Sequence, residues 1–246
     1  NDWKEPVIGV AFDGTGYGTD HTIWGGELLL ADACDFARAG HIAPFVQIGG
    51  DLSAKEGWRI AVSMLYGRYR NEEKTLAAAT ALGLCAEADA KVLMRMYDRG
   101  MNAVTSTSAG RLFDAVSAVL GICIYSTFEG EASTALQFAA EAYEKQAPEE
   151  KSPLWKKQTN PIVSENSDTE HLVLPTDQLF DWIVDARQQG MEAPALAYAF
   201  HEALAQMIKD ACISLRSRTG RNTVALSGGV FQNLLLLKLC RTKLTE

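Results

Sequence analysis

No stretch of this 246-residue sequence approaches the ~20 consecutive apolar residues that a membrane-spanning helix needs. The leucine run Leu234–Leu237 is far too short, and the first residues carry no basic-then-apolar targeting pattern. A cytoplasmic protein with no membrane role is therefore expected. Cysteine is sparse. Cys34, Cys85, Cys123, Cys212 and Cys240 form no C-x-x-C pair, and an odd number cannot close completely into disulfides, so they read as reduced thiols, mostly of the core. Positive charge is also in deficit. Lys and Arg number 23 against 31 Asp and Glu, a net charge of -8, which opposes attraction to nucleic acid phosphates and argues against a nucleic acid partner.

Several catalytic signatures are absent. The four histidines, His21, His41, His171 and His201, lack metal-ligand spacing and read as structural, and HEALA at His201 carries Ala205 where H-E-x-x-H needs its second histidine. There is no G-x-S-x-G elbow and no cysteine in a catalytic context, which disfavours a covalent hydrolase. Neither G-x-x-x-x-G-K-S/T nor G-x-G-x-x-G occurs. What is there is ordinary globular composition, 47% hydrophobic and 22% charged, with room for one large domain or two modest lobes.

The apolar run Val7–Phe12 and the segment Thr22–Leu30 read as two strands joined by a glycine-rich connection. Trp58, Val62, Leu65 and Tyr69 follow helical spacing over 53–69, with Ser53 and Glu56 forming a capping box. Further helices are expected near 86–98, 108–121, 130–146, 176–189 and 193–217. In the last of these Leu196, Phe200, Leu204, Met207, Ala211 and Leu215 make one apolar face. Glu144–Pro161, rich in charge and proline, reads as an exposed connection, with short strands after it near Ile162 and His171. NTVALSGGVFQNLLLLKL closes the sequence as strand, glycine turn and helix.

Asp13-Gly14-Thr15-Gly16-Tyr17-Gly18 follows a strand, so its backbone N–H groups can approach an anion without Cβ interference. Asp13 then suits a cation bridging to phosphates, or a substrate hydrogen. The same residues also suit a hairpin turn in which Asp-Gly supplies positive φ. Ser227-Gly228-Gly229, between a strand and an apolar helix, fits either a ligand held at a helix N-terminus or a plain turn in which Ser227 caps the helix. Asp114 either accepts sugar hydroxyls or pairs with Arg111 on the surface.

In this order, GVAFDGTGYGTD with TIWGGE, SAGRLFDAVSAVLG, FEGEA and ALSGGVFQN resemble the HypF-type carbamoyltransferases of nickel–iron hydrogenase maturation, from Val7 to about Leu237. That family is similar to tRNA threonylcarbamoyladenosine transferases and antibiotic O-carbamoyltransferases. The resemblance implies a mixed α/β actin/sugar-kinase/Hsp70-like (ASKHA) fold. Residues 1–246 would be part of the carbamoyltransferase domain, mostly its C-terminal lobe. It also implies that carbamoyl adenylate, made from carbamoyl phosphate and ATP, passes its carbamoyl group to the C-terminal cysteine of HypE, with no protein nucleophile in this chain. Phe12, Asp13, Gly14, Thr15 and Gly16 would line the phosphate and carbamoyl end. Asp114 and Gly130 would hold the ribose side, and Gly228, Gly229 and Asn233 the adenosine side, with Ser227 also counted in the nucleotide and carbamoyl site. Asp13 would be one ligand of a divalent metal, zinc or iron, whose other ligands lie outside these residues, because the family's H-H-H-A-H and N-D-G-G segments are missing here. His21 stands where the family usually has glycine. The alternatives are a small-molecule O-carbamoyltransferase and a nucleotide-binding or docking module inactive by itself.

Overall fold

Along Val7–Phe12 half-buried and fully buried side chains alternate, as a strand with one face on a core demands. The computed structural model describes residues 5–146, 162–163 and 171–245. In chain order it contains β1 (Val7–Tyr17), β2 (Ile23–Ala31), β3 (Phe36–Ile42) and β4 (Phe45–Ile48), then a short 3₁₀ turn (Gly50–Ala54). The helices α1 (Gly57–Tyr69), α2 (Glu72–Ala81) and α3 (Glu87–Arg99) follow, then β5 (Ala103–Ser106), α4 (Ala109–Val119) and α5 (Glu131–Gln146). The chain ends with β6 (Ile162–Val163), β7 (Leu172–Leu174), α6 (Thr176–Gln188), α7 (Ala193–Thr219), β8 (Val224–Ser227), a second 3₁₀ turn (Gly229–Gln232) and α8 (Leu234–Thr245).

The strands form one mixed sheet, as expected of the α/β class. β1, β2 and β3 make an antiparallel meander, β8 joins the outer side of β1 in parallel, and β7 joins β3 in parallel. Ile23, at the start of β2, also meets Ser106 of β5, which pairs with β4. The central element is α4, buried at every position, Arg111 and Asp114 included. Phe113 sets its ring edge to Phe200 of α7 with centroids 4.8 Å apart, and the expected apolar stripe of α7 is buried throughout. All five cysteines are free thiols. Among the described residues no helix is long and apolar enough to cross a membrane.

Three local expectations are corrected. The glycine-rich stretch after Phe12 is not a loop: β1 continues through it to Tyr17, with an irregularity in its pairing to β2 between Phe12 and Gly16. The turn lies further on, where Asp20 Oδ1 accepts from the backbone N–H and hydroxyl of Thr22 and from Trp24 Nε1. The positive φ of this hairpin belongs to His21, at 64°, and not to Asp13 or Gly14. Ser53 and Glu56 form no capping box, because Ser53 lies in the 3₁₀ turn, where its hydroxyl donates to the Gly50 carbonyl, and α1 begins only at Gly57. Helix α2 and strands β3 to β5 also lie beyond the elements expected from sequence. Residues 147–161 of the expected exposed connection lie outside the described residues.

His21 holds a left-handed conformation that glycine, with no Cβ, adopts without cost. A left-handed residue with a Cβ carries a penalty of about 1 kcal/mol. His21→Gly is therefore expected to raise Tm by roughly 2–4 °C for a chain of this size. Thermal unfolding followed by circular dichroism checks it, and a lowered Tm refutes it.

Candidate functional site

Three helices begin at one place. The N-terminal turn of α4 supplies Gly110 and Arg111, and the entry to α5 supplies Glu129, Gly130 and Ser133. The entry to α8 supplies Gln232, Asn233 and Leu234, and β1 supplies Asp13 and Gly14. Together they line a cleft of about 600 Å³. Each helix N-terminus presents unsatisfied N–H groups and about half a positive charge, so their convergence favours an anion.

Local sequence explains why the ends meet. Ser108 caps α4 by accepting from the Arg111 N–H at 3.1 Å, and its hydroxyl donates to the Gly14 carbonyl at 2.6 Å, tying the helix start to the irregular part of β1. A Cβ on Gly110 would stand 2.7 Å from the Gly14 Cα, so this packing requires glycine. Helix α8 is capped by Asn233, whose Oδ1 accepts from the Leu236 N–H at 3.0 Å, not by Ser227, the last residue of β8. The Asn233 amide also donates to His201 Nε2 at 2.9 Å, while His201 Nδ1 donates to the Ala197 carbonyl. Burial holds that imidazole neutral, with its pKa pushed down to about 4, so His201 is structural.

Of the residues singled out in the sequence, Asp13, Gly14, Asp114, Gly130, Gly229 and Asn233 line this cleft. Phe12 is fully buried with its ring on Phe231, and its carbonyl abuts Gly228. Thr15 lines a neighbouring cavity of about 390 Å³ with Ile23, Gln47, Asp51, Asn102 and Arg111. Gly16 pairs with Trp24 in the sheet.

Asp114 and Arg111 do pair, but the expectation of a surface pair is corrected: Arg111 Nε meets Asp114 Oδ2 at 2.7 Å, with both residues buried. Burial pushes the Asp114 carboxyl up to about 6, and the attraction and hydrogen bond of Arg111 only partly offset this. One carboxylate went unassigned in the sequence. Glu27, buried on β2, accepts from the N–H groups of Gly25 and Gly26 and from Thr107 and Arg38, and so fixes the backbone that packs against Asp13. Its place beside two glycines in TIWGGE was the available signal.

The metal implied by the resemblance is not assembled by these residues. Asp13 offers one exposed carboxylate whose Oδ1 already accepts from the Gly14 N–H. Among the described residues no group of three or more His, Cys, Asp or Glu side chains could hold an ion. One donor falls short of the four that tetrahedral sites use.

Comparison with known proteins adds an independent line. A family model described as the second subdomain of the Kae1-like domain of carbamoyltransferases matches residues 9–246. A carbamoyltransferase HypF homolog of Cupriavidus necator is 35% identical over 236 residues, which cover 96% of this chain and 57% of that protein. The carbamoyltransferase HypF of Synechocystis sp. is 30% identical over 259 residues, 99% of this chain and 31% of its own. The crystal structure of a full-length HypF in its phosphate- and nucleotide-bound form superposes with a TM-score of 0.85 at 28% identity, covering 99% of this chain and 35% of that one. The HypF of T. kodakarensis gives 0.77 at 27% identity, with 98% and 30% covered. The chain thus spans 57% or less of the length of these proteins.

Proposed function

The chain belongs to the HypF carbamoyltransferase family, as the second subdomain of its Kae1-like domain with an ASKHA-type fold, and from this we propose that its cleft binds the adenylate in a carbamoyl transfer. The donor is carbamoyl adenylate, made from carbamoyl phosphate and ATP, and the acceptor is the C-terminal cysteine thiolate of HypE. The thiol proton leaves to solvent beforehand. Sulfur then bonds to the carbamoyl carbon, and the C–O bond to phosphate breaks with its electron pair going to AMP. Such a displacement asks the protein for positioning and for stabilisation of developing negative charge, not for a nucleophile of its own.

The observation that carries the reading is the meeting of three helix N-termini against the Asp13–Gly14 strand in one cleft. The nucleotide-bound HypF relative supports it. Asp13 and Gly14 would face the phosphate and carbamoyl end, and Asp114 and Gly130 the ribose. Gly229 and Asn233 would face the adenosine. Phe12 and Gly228 contribute through the backbone packing that shapes the cleft.

AMP is expected to bind this chain with measurable heat and to raise its Tm, since ligand at ~100 times Kd adds about 2.7 kcal/mol to stability. Calorimetry and thermal shift test this, and neither heat nor shift at millimolar AMP overturns the assignment. Radiolabelled carbamoyl transfer to a HypE C-terminal peptide by the full-length protein tests the acceptor.

A further inference from the structure

Arg111 is more than the partner of Asp114. It is 8% exposed, and its Nε is committed to the Asp114 carboxylate at 2.7 Å. Its two Nη groups have no hydrogen-bond partner among the described residues. The fully enclosed polar atoms without a partner among those residues are Arg38 Nε, Gln47 Oε1, Trp58 Nε1 and Ser117 Oγ, a set that excludes both Nη groups. They are therefore not fully enclosed, and Arg111 lines both the cleft and the Thr15 cavity. Nη2 also lies beside Gly14, 3.8 Å from where a Cβ would stand.

A guanidinium this enclosed has been stripped of most of its water, and a single bond through Nε leaves most of its five donors unused. Asp114 fixes its orientation, and the capped first turn of α4 fixes its backbone. Two parallel N–H groups on a planar fork match the non-bridging oxygens of a phosphate.

We propose that Arg111 is the cationic phosphate-binding residue of the cleft, with Asp114 as the residue that positions it. This rests on the nucleotide reading of the cleft and names the group that grips its anion. The phosphate would lie between the Arg111 fork and the helix N-termini, its charge held where AMP must leave.

The competing role for Arg111 is only to neutralise buried Asp114. The double variant Arg111→Met with Asp114→Asn removes the pair together and leaves no buried lone charge, so it keeps the fold testable, and circular dichroism confirms folding. Calorimetric titration of parent and double variant with adenosine and with AMP then reads the phosphate's share of affinity as a ratio of dissociation constants. The double variant is expected to lower that ratio by roughly 10–100-fold, the range for hydrogen bonds to a charged group. Arg111→Lys, a point charge without the fork, should fall between. An unchanged ratio in a folded double variant overturns the assignment of Arg111 while leaving the nucleotide site standing. If the parent binds neither adenosine nor AMP, the nucleotide reading fails and this inference with it.

Discussion

Gly228→Ala is expected to destabilise the protein by about 3 kcal/mol or more, seen as a fall in Tm of roughly 6–12 °C. Two costs add at this position. Gly228 has φ of 97°, which alanine adopts only with strain, and a Cβ there would stand 2.1 Å from the Phe12 carbonyl oxygen and 2.6 Å from its carbon. Neither side can easily yield. Phe12 is fully buried, stacks on Phe231 and belongs to the strand that pairs with both β2 and β8. Gly229→Ala is the control, because its Cβ would meet only the Asp13 carboxylate, at 3.2 Å, a side chain on an exposed residue that can move. Thermal melts of both variants decide the matter, and equal losses would mean that the close approach at Gly228 is not what holds the turn.

That contact also shows why the glycine-rich segments were only partly legible. Sequence placed a strand before Asp13 and a turn after Leu226, and both are present. Periodicity likewise placed the helices α3 to α7 to within a few residues, because their apolar residues recur at helical spacing. It could not show that β8 lies alongside β1, or that the start of α4 presses on Gly14. From sequence alone, a glycine that serves close backbone packing looks the same as one that serves a loop, so the strand through Gly14 and Gly16 read as a connection. Strand β3 does not alternate, since Phe36 and Ala37 are both exposed and Ala39 and Gly40 both buried, strands β4 and β5 are only four residues each, and β2 pairs with β5 through a single residue position. Helix α2 did carry a signal, Asn71 followed by Glu72 and Glu73, and Asn71 indeed accepts from the Lys74 N–H. Arg111 and Asp114, three apart on a helix, were legible as a pair, but their burial was not, since it depends on α4 being covered on every side.

Burial of that pair gives the second large effect, a dependence on pH that two groups conceal from each other. In the folded state Asp114 titrates at about 6 against an ordinary value of 3.8. Between those values the folded protein holds a proton that the unfolded chain has lost, so stability falls as pH rises, by about 3 kcal/mol in all. His201 works in the opposite sense. Its folded pKa is about 4 against 6.5, so between those values the unfolded chain holds the extra proton, and stability falls as pH drops, also by about 3 kcal/mol. The two windows overlap between about pH 4 and 6, and the slopes there largely cancel. Asp114→Asn removes one of them. Relative to the parent, this variant is expected to lose about 3 kcal/mol more on acidification from pH 6.5 to 4, with the His201 transition exposed. Urea unfolding of both proteins at several pH values measures it. Parallel profiles would mean that Arg111 keeps Asp114 ionised across this range, and that the carboxylate is free to serve the ligand at any physiological pH.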